Sequence, residues 1–421
     1  MRTTIKNART PFTANLWDIA IEGGRISTIQ GGGTLGGSDV IDAQGGLVCP
    51  GFIDAHIHLD KVYTLDWDES GEEEDDKLLS TQTIIPTLRP LKAKFTEEDL
   101  LRRGRRALEE SLLHGTVAHR AFVDVDSTVG LKCLSAALKL KQEFKGLVDI
   151  QVVAFPQEGL AGKAENVELL YRAVELGADV VGGIPWYENT AEEAQQHLDV
   201  VFDVAKSAGK DIHIVADDTD DPLSTNILRF ASKCIREGFT GRCAASQCRG
   251  ALDASNEAYA GRVVALAKSA GLTVVENPHT SLMLSGGGGV HPLRRGVTRV
   301  VEFARAGVNV AAGQDDIQDA YYPYGRGSMV EVGFVMSHAI RTNTTQGLHL
   351  VYNMLTQNGA QMMKLKHYGV APGCAADILI FEEKSLREVF KNMARPKYVL
   401  RNGATVLVNS TETRFYRPPP T

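Results

Sequence analysis

No two cysteines in this 421-residue chain stand in C-x-x-C spacing. Cys49, Cys133, Cys234, Cys243, Cys248 and Cys374 are scattered, which argues against a zinc ribbon and a disulfide scaffold. No uninterrupted apolar stretch reaches the roughly 20 residues needed to cross a bilayer, and the first residues carry no apolar leader core. No membrane is therefore expected, and the cytoplasm is the default compartment. Positive charge is also scarce. Lys and Arg number 45 against 52 Asp and Glu, a formal net charge of -7. No basic stripe with interleaved aromatics offsets that balance, so no nucleic acid is expected as a partner. What remains is 43% apolar and 23% charged residues, the balance of an ordinary soluble globular protein.

The two ends of the chain share one style. Residues 3–8, 18–22 and 25–29 alternate apolar and polar positions between glycine-rich turns, and residues 376–381, 396–400 and 404–408 do the same. The termini are expected to pair into one small β domain, with 417–421 as a frayed tail. Between them, strand and helix patterns alternate. Strands are expected at 118–125, 150–155, 180–184, 211–216, 243–246, 273–276 and 308–312. Helices are expected at 95–114, 128–144, 164–176, 190–208, 224–237, 258–270 and 297–306. With the strand that ends at His58, this makes eight strands and predicts an α/β fold, a closed (β/α)8 TIM-type barrel with its chemistry at the C-terminal strand ends. The expected boundaries are 1–50 and 370–421 for the β domain and 51–369 for the barrel.

The first barrel strand ends in Gly51-Phe52-Ile53-Asp54-Ala55-His56-Ile57-His58-Leu59-Asp60-Lys61. Side chains two apart on a strand share a face, so His56 and His58 offer half of a metal site. A pair of histidines on a solvated edge would look the same. After the eighth strand, Gly313-Gln314-Asp315-Asp316 brings carboxylates to the rim. Asp315 suits metal ligation and proton transfer, or else a helix cap. Gln157, after the third strand, can donate and accept toward a ring edge, or be satisfied by loop backbone. Asp217 and Asp218, after the fifth strand, are candidates for proton transfer or for rim solvation and capping. His213 reads more readily as a satisfied core histidine than as a ligand. Trp186 and Tyr321, Tyr322 and Tyr324 are placed to line a mouth that stacks flat ligands, or to pack loops. The acidic run 69–76 reads as a solvated or lid-like loop, and Gly286-Gly287-Gly288-Gly289 as a flexible loop without a phosphate-cradle signature.

These segments together resemble the amidohydrolase superfamily, and within it the cytosine deaminase branch. The similarity runs through 51–61, Val152-Val153-Ala154-Phe155-Pro156-Gln157-Glu158-Gly159, the Asp217–Pro222 run, Asn277-Pro278, residues 294–299 and 313–325. It implies a β-sandwich built from both termini, and a mononuclear metal, Zn or Fe, that activates water against an amidine-like ring carbon and releases ammonia. On the matching positions His56, His58 and Asp315 are implied as metal ligands, and Gln157 as the residue that holds the ring. Trp186, Asp316 and Tyr321 are the further substrate-binding candidates. Asp218 falls where the branch has a glutamate for proton traffic.

Other positions depart from the pattern. Val215 stands at the fifth-strand ligand, Gln247 at the sixth-strand histidine, Phe122 at the second-strand histidine and Gln314 before the eighth-strand aspartate. Valine ligates nothing and an amide does not titrate near neutral pH, so the catalytic assignments to Asp218, Asp315 and Gln247 describe a rewritten centre. His213 is roughly 7 Å deeper along its strand than the missing ligand. Three readings stay open. One is a metal-dependent hydrolase deaminating or cleaving a C–N bond of a small nitrogen heterocycle. Another is a metal-free descendant doing isomerase, cyclase or lyase chemistry with the same acids and bases. The last is a non-catalytic binding protein, and assembly into a homo-oligomer is open for all three.

Overall fold

The computed structural model describes residues 2–67, 81–254, 257–286, 296–410 and 412. The expectations for 69–76, 287–289, 294–295 and 417–421 lie outside the described residues. The chain divides into two compact units, one of Met1–Gly51, Leu113–Gly115 and His367–Thr421 and one of Phe52–Leu112 and Thr116–Lys366.

In the first unit the terminal segments form two four-stranded sheets. One runs in the order 25–31, 13–22, 2–10, 39–42, and the other in the order 404–408, 398–401, 378–380, 48–50. Among the ties between the chain ends is antiparallel pairing of Val48–Pro50 with Ile378–Ile380. Alternation puts Ile5, Ile19, Ile21 and Ile26 of one sheet and Val48, Ile378, Ile380 and Leu400 of the other into one apolar core, which makes the unit a β-sandwich.

The second unit is a barrel of eight parallel strands hydrogen-bonded in sequence order. They are Phe52–His58, Thr116–Asp124, Asp149–Phe155, Val180–Gly183, Asp211–Asp217, Cys243–Cys248, Thr273–Glu276 and Asn309–Ala312. Every residue of Phe52–His58 and of Thr116–Asp124 is buried, as expected for strands covered on both faces. Closure occurs at the functional end. The Asp315 N–H donates to the His56 carbonyl and the His58 N–H to the Asp315 carbonyl, each at 2.8 Å. The closing hydrogen bonds therefore join the very residues that carry the candidate ligands.

Local chemistry sets where the helices begin. Ala191–Ala208 starts after Thr190, whose hydroxyl accepts the Glu193 N–H, and ends at Gly209 in the left-handed region at φ 65°. The helix expected from 128 starts instead at Lys132, because Asp126 Oδ1 accepts the N–H groups of Thr128 and Val129 and holds 126–130 in a turn. The helix expected from 297 starts at Val300, since the Thr298 N–H and hydroxyl are tied to Glu276 and the Cys248 N–H. The helix Pro278–Leu284, which follows the seventh strand directly, has no counterpart in the sequence expectations.

Candidate active site

His56 and His58 project from one face of the first strand toward Asp315. His56 Nε2 lies 3.3 Å from Asp315 Oδ1, His58 Nε2 lies 3.6 Å from the same oxygen, and the two Nε2 atoms are 3.3 Å apart. Ligands at about 2.0–2.1 Å around a tetrahedral zinc sit on edges of roughly 3.3–3.4 Å. The three donors thus have the spacing of one metal's ligand set. Asp315 Oδ1 is buried and accepts no hydrogen bond among the described residues, as an oxygen kept for a cation would be. Its partner oxygen Oδ2 takes the Gln247 Nε2–H at 2.7 Å. Burial, with the cations of Lys61 and Arg120, holds His56 well below the ordinary histidine range, so its ring is neutral. Burial and Lys61 do the same to His58. Burial and the nearby Asp218 charge push the Asp315 carboxyl well above its usual range.

The residues therefore fit a three-ligand divalent metal site. It departs from a strong one in two ways. Val215, buried in an apolar cluster with Phe122 and Phe155, supplies nothing in place of a further ligand. His58 Nδ1 also lies 3.3 Å from Lys61 Nζ, a donor-only group, where a ligating histidine ordinarily meets an acceptor. Lys61 is held there by Asp124 Oδ1 at 2.7 Å, and Lys92 bridges Asp124, Asp126 and Glu158 behind it. Phe122 stacks on His56 at 3.8 Å and 13° and clamps the ring from one side.

A pocket opens over the donors, lined among others by His58, Gln157, Trp186, Val215, Asp218 and Gln247. Asp315, Asp316, Tyr321 and Thr280 also line it. Most of the sequence-derived candidates thus come together: His56 and His58 join Asp315 in the donor cluster, and Gln157, Trp186, Asp218, Gln247, Asp316 and Tyr321 border the cavity. Gln157 Nε2–H donates to the Tyr321 hydroxyl at 3.2 Å, and Gln157 Oε1 is unpaired among the described residues. The Trp186 indole N–H is likewise unpaired. Asp316 Oδ2 accepts the Thr280 hydroxyl at 3.0 Å, and its Oδ1 accepts no N–H among the described residues. Asp218 Oδ1 accepts the Arg249 Nε–H at 2.8 Å, and Arg249 also reaches Asp220 at 2.6 Å. Of the tyrosines after the eighth strand, Tyr321 lines the cavity, Tyr322 packs on His279 at 5.1 Å and Tyr324 is exposed. Asp217 turns away and caps the helix Asn226–Arg236, accepting the Asn226 and Ile227 N–H groups.

Four contributors escaped the sequence reading. Arg249, Ser246, Thr280 and Lys61 act through contacts with residues distant in sequence, which no local spacing encodes. Lys61 alone left a signal, lying inside the Gly51–Lys61 motif. Asp315 and Gln247 hold left-handed backbone at φ 67° and 49°, a cost for non-glycine residues that fits a constrained site.

A profile of the amidohydrolase family matches residues 39–81 and 77–407. The chain is 31% identical to the N-isopropylammelide isopropyl amidohydrolase of Pseudomonas sp. (strain ADP), over 96% of either chain. It is 27% identical to the pterin deaminase of Rhizobium rhizogenes, over 92% of this chain and 87% of that one. A solved 5-methylcytosine deaminase from Klebsiella pneumoniae, liganded with 5-fluorocytosine, superposes with a TM-score of 0.91 at 34% identity. That match covers 98% of this chain and 99% of the other. Motif order, barrel closure at the donor cluster and similarity along the whole length agree: the chain belongs to the amidohydrolase family.

Proposed function

We propose that this protein is a hydrolase of C–N bonds that takes a small, flat nitrogen heterocycle into the barrel-mouth cavity and releases ammonia or an amine from the ring. The observation that carries this is the convergence of His56, His58 and Asp315 at 3.3, 3.3 and 3.6 Å beneath that cavity. These three residues would hold one divalent cation, Zn or Fe, which when bound supplies the Lewis acidity that makes water nucleophilic near neutral pH.

The remaining roles belong to the chain's own groups. Trp186 and Phe155 give the ring an aromatic wall, Gln157 Oε1 accepts a ring N–H, and the unpaired Trp186 N–H offers a donor to a ring acceptor. Asp316 Oδ1 offers a further acceptor. Asp218 moves the proton, with Arg249 fixing one carboxylate oxygen and leaving the other for the reaction. Gln247 does not titrate; its amide orients Asp315. A cytoplasmic location is part of the proposal, supported by six cysteines that are all free.

One contact favours a second reading. Lys61 donating to His58 Nδ1 would put the ring proton on Nε2, facing Asp315, and close an acid–base cluster suited to metal-free isomerase, cyclase or lyase chemistry. A single experiment separates the two. Protein loaded with Zn²⁺ or Fe²⁺ is offered cytosine, 5-methylcytosine, N-isopropylammelide and pterin, and ammonia and amine release are followed with and without chelator. The hydrolase reading predicts release that the chelator abolishes. Turnover indifferent to chelator contradicts it.

A further inference from the structure

Behind His56 runs a buried chain that none of the roles above employs. His56 Nδ1 lies 2.8 Å from Ser246 Oγ, and the same oxygen lies 2.7 Å from His213 Nε2. All three side chains are shut off from solvent. Ser246 stands on the sixth strand in register with Val215, and His213 lies one strand repeat below Val215 on the fifth. His213 therefore does not replace the missing ligand; it engages the serine that contacts an existing one.

A hydroxyl carries one proton, so Ser246 donates to one ring and accepts from the other. If it donated to His56 Nδ1, the His56 proton would sit on Nε2 and cover the atom that faces Asp315. If it donates to His213 Nε2, it accepts the Nδ1–H of His56, and His56 Nε2 turns a lone pair toward the Asp315 oxygen 3.3 Å away. Only the second arrangement leaves His56 able to ligate. His213 provides the acceptor that directs the hydroxyl proton away from His56.

We propose that Ser246, oriented by His213, is a positioning residue that sets the ring tautomer of His56 and so tunes metal affinity from outside the ligand set. The proposal rests on the reading of His56, His58 and Asp315 as ligands. Phe122, stacked on the His56 ring and 4.9 Å from His213 by ring centroid, keeps both imidazoles from swinging out of line.

The test is Zn²⁺ affinity, measured on the full chain by competition with a chromogenic chelator, for the parent, Ser246→Ala, Ser246→Thr and His213→Phe. Thermal midpoints of the metal-free proteins are recorded alongside. Outer partners of ligating histidines are worth about 10–100-fold in metal affinity. Ser246→Ala and His213→Phe are expected to lose that much with little change in metal-free midpoint. Ser246→Thr, which keeps the hydroxyl, is expected to recover most of the loss. Affinity in Ser246→Ala within about threefold of the parent overturns the proposal. So does a loss that tracks the metal-free midpoint and is not recovered by threonine, which marks a packing role. A parent chain that binds no Zn²⁺ refutes the ligand reading itself, a result distinct from either.

Discussion

Single substitutions decide how much of this centre is left. Val215 borders the cavity, and on the sequence pattern it occupies the place of a ligand. Val215→His is expected to tighten Zn²⁺ binding by at least the roughly tenfold that outer partners alone confer. The larger side chain costs about 1–3 kcal/mol of stability in the cluster around Phe122 and Phe155. Chelator competition reads the first effect and thermal unfolding the second; unchanged affinity would mean that the position does not face the metal. Asp218 is the candidate proton mover. Asp218→Asn is expected to lower kcat by about 10²–10⁴ while Zn²⁺ content stays the same. A loss of metal along with activity would move Asp218 from proton transfer to metal retention.

Elements carry the second kind of dependence. Gly313 joins the eighth strand to Asp315, and a Cβ there would lie 2.6 Å from both the His56 carbonyl oxygen and Asn277 Oδ1. Because the His56 carbonyl is backbone held in the closing hydrogen bond, Gly313→Ala is expected to spread the barrel seam, lowering the thermal midpoint and Zn²⁺ affinity together. An alanine variant with both unchanged would show the seam to be slack. The helix Pro278–Leu284 buries His279, whose ring nitrogens have no hydrogen-bond partner among the described residues, and burial pulls its pKa down to about 4. The unfolded ring titrates near 6.5, so between about pH 6.5 and 4 the unfolded chain binds a proton that the folded chain does not. His279 thus contributes stability that is present above that window and lost as pH falls through it. Buried carboxyls raised above their usual range, among them Asp319 at about 6, act in the opposite sense. The difference between parent and His279→Phe isolates the histidine. Denaturant midpoints should fall less steeply from pH 7 to 4 in the variant, and parallel slopes would contradict the assignment.

At the scale of the whole molecule, the barrel was legible because each strand–helix pair leaves its own local period, and eight such periods in a row admit few architectures. The pairing of the chain ends was legible from matching alternation, although the strand that ties them, Val48–Pro50, is too short to leave a period. Helix starts were misjudged where side chains such as Asp126 and Glu276 captured backbone N–H groups first. His56, His58, Gln157 and Asp315 were legible because motifs at strand ends must meet at one rim. Ser246, Arg249 and Thr280 were not, since each matters only through a residue more than 30 positions away. That an aliphatic side chain stands at Val215 and an amide at Gln247 was visible in sequence; that the Gln247 amide donates to Asp315 became visible only in three dimensions.

The most direct trial of the account is elemental analysis of protein purified without chelators, beside Asp315→Ala and His56→Ala. About one equivalent of Zn or Fe per chain is predicted for the parent, as for a mononuclear catalytic site, and a small fraction of that in either variant. A parent free of metal that still transforms a heterocycle, or variants that keep the full equivalent, would contradict it.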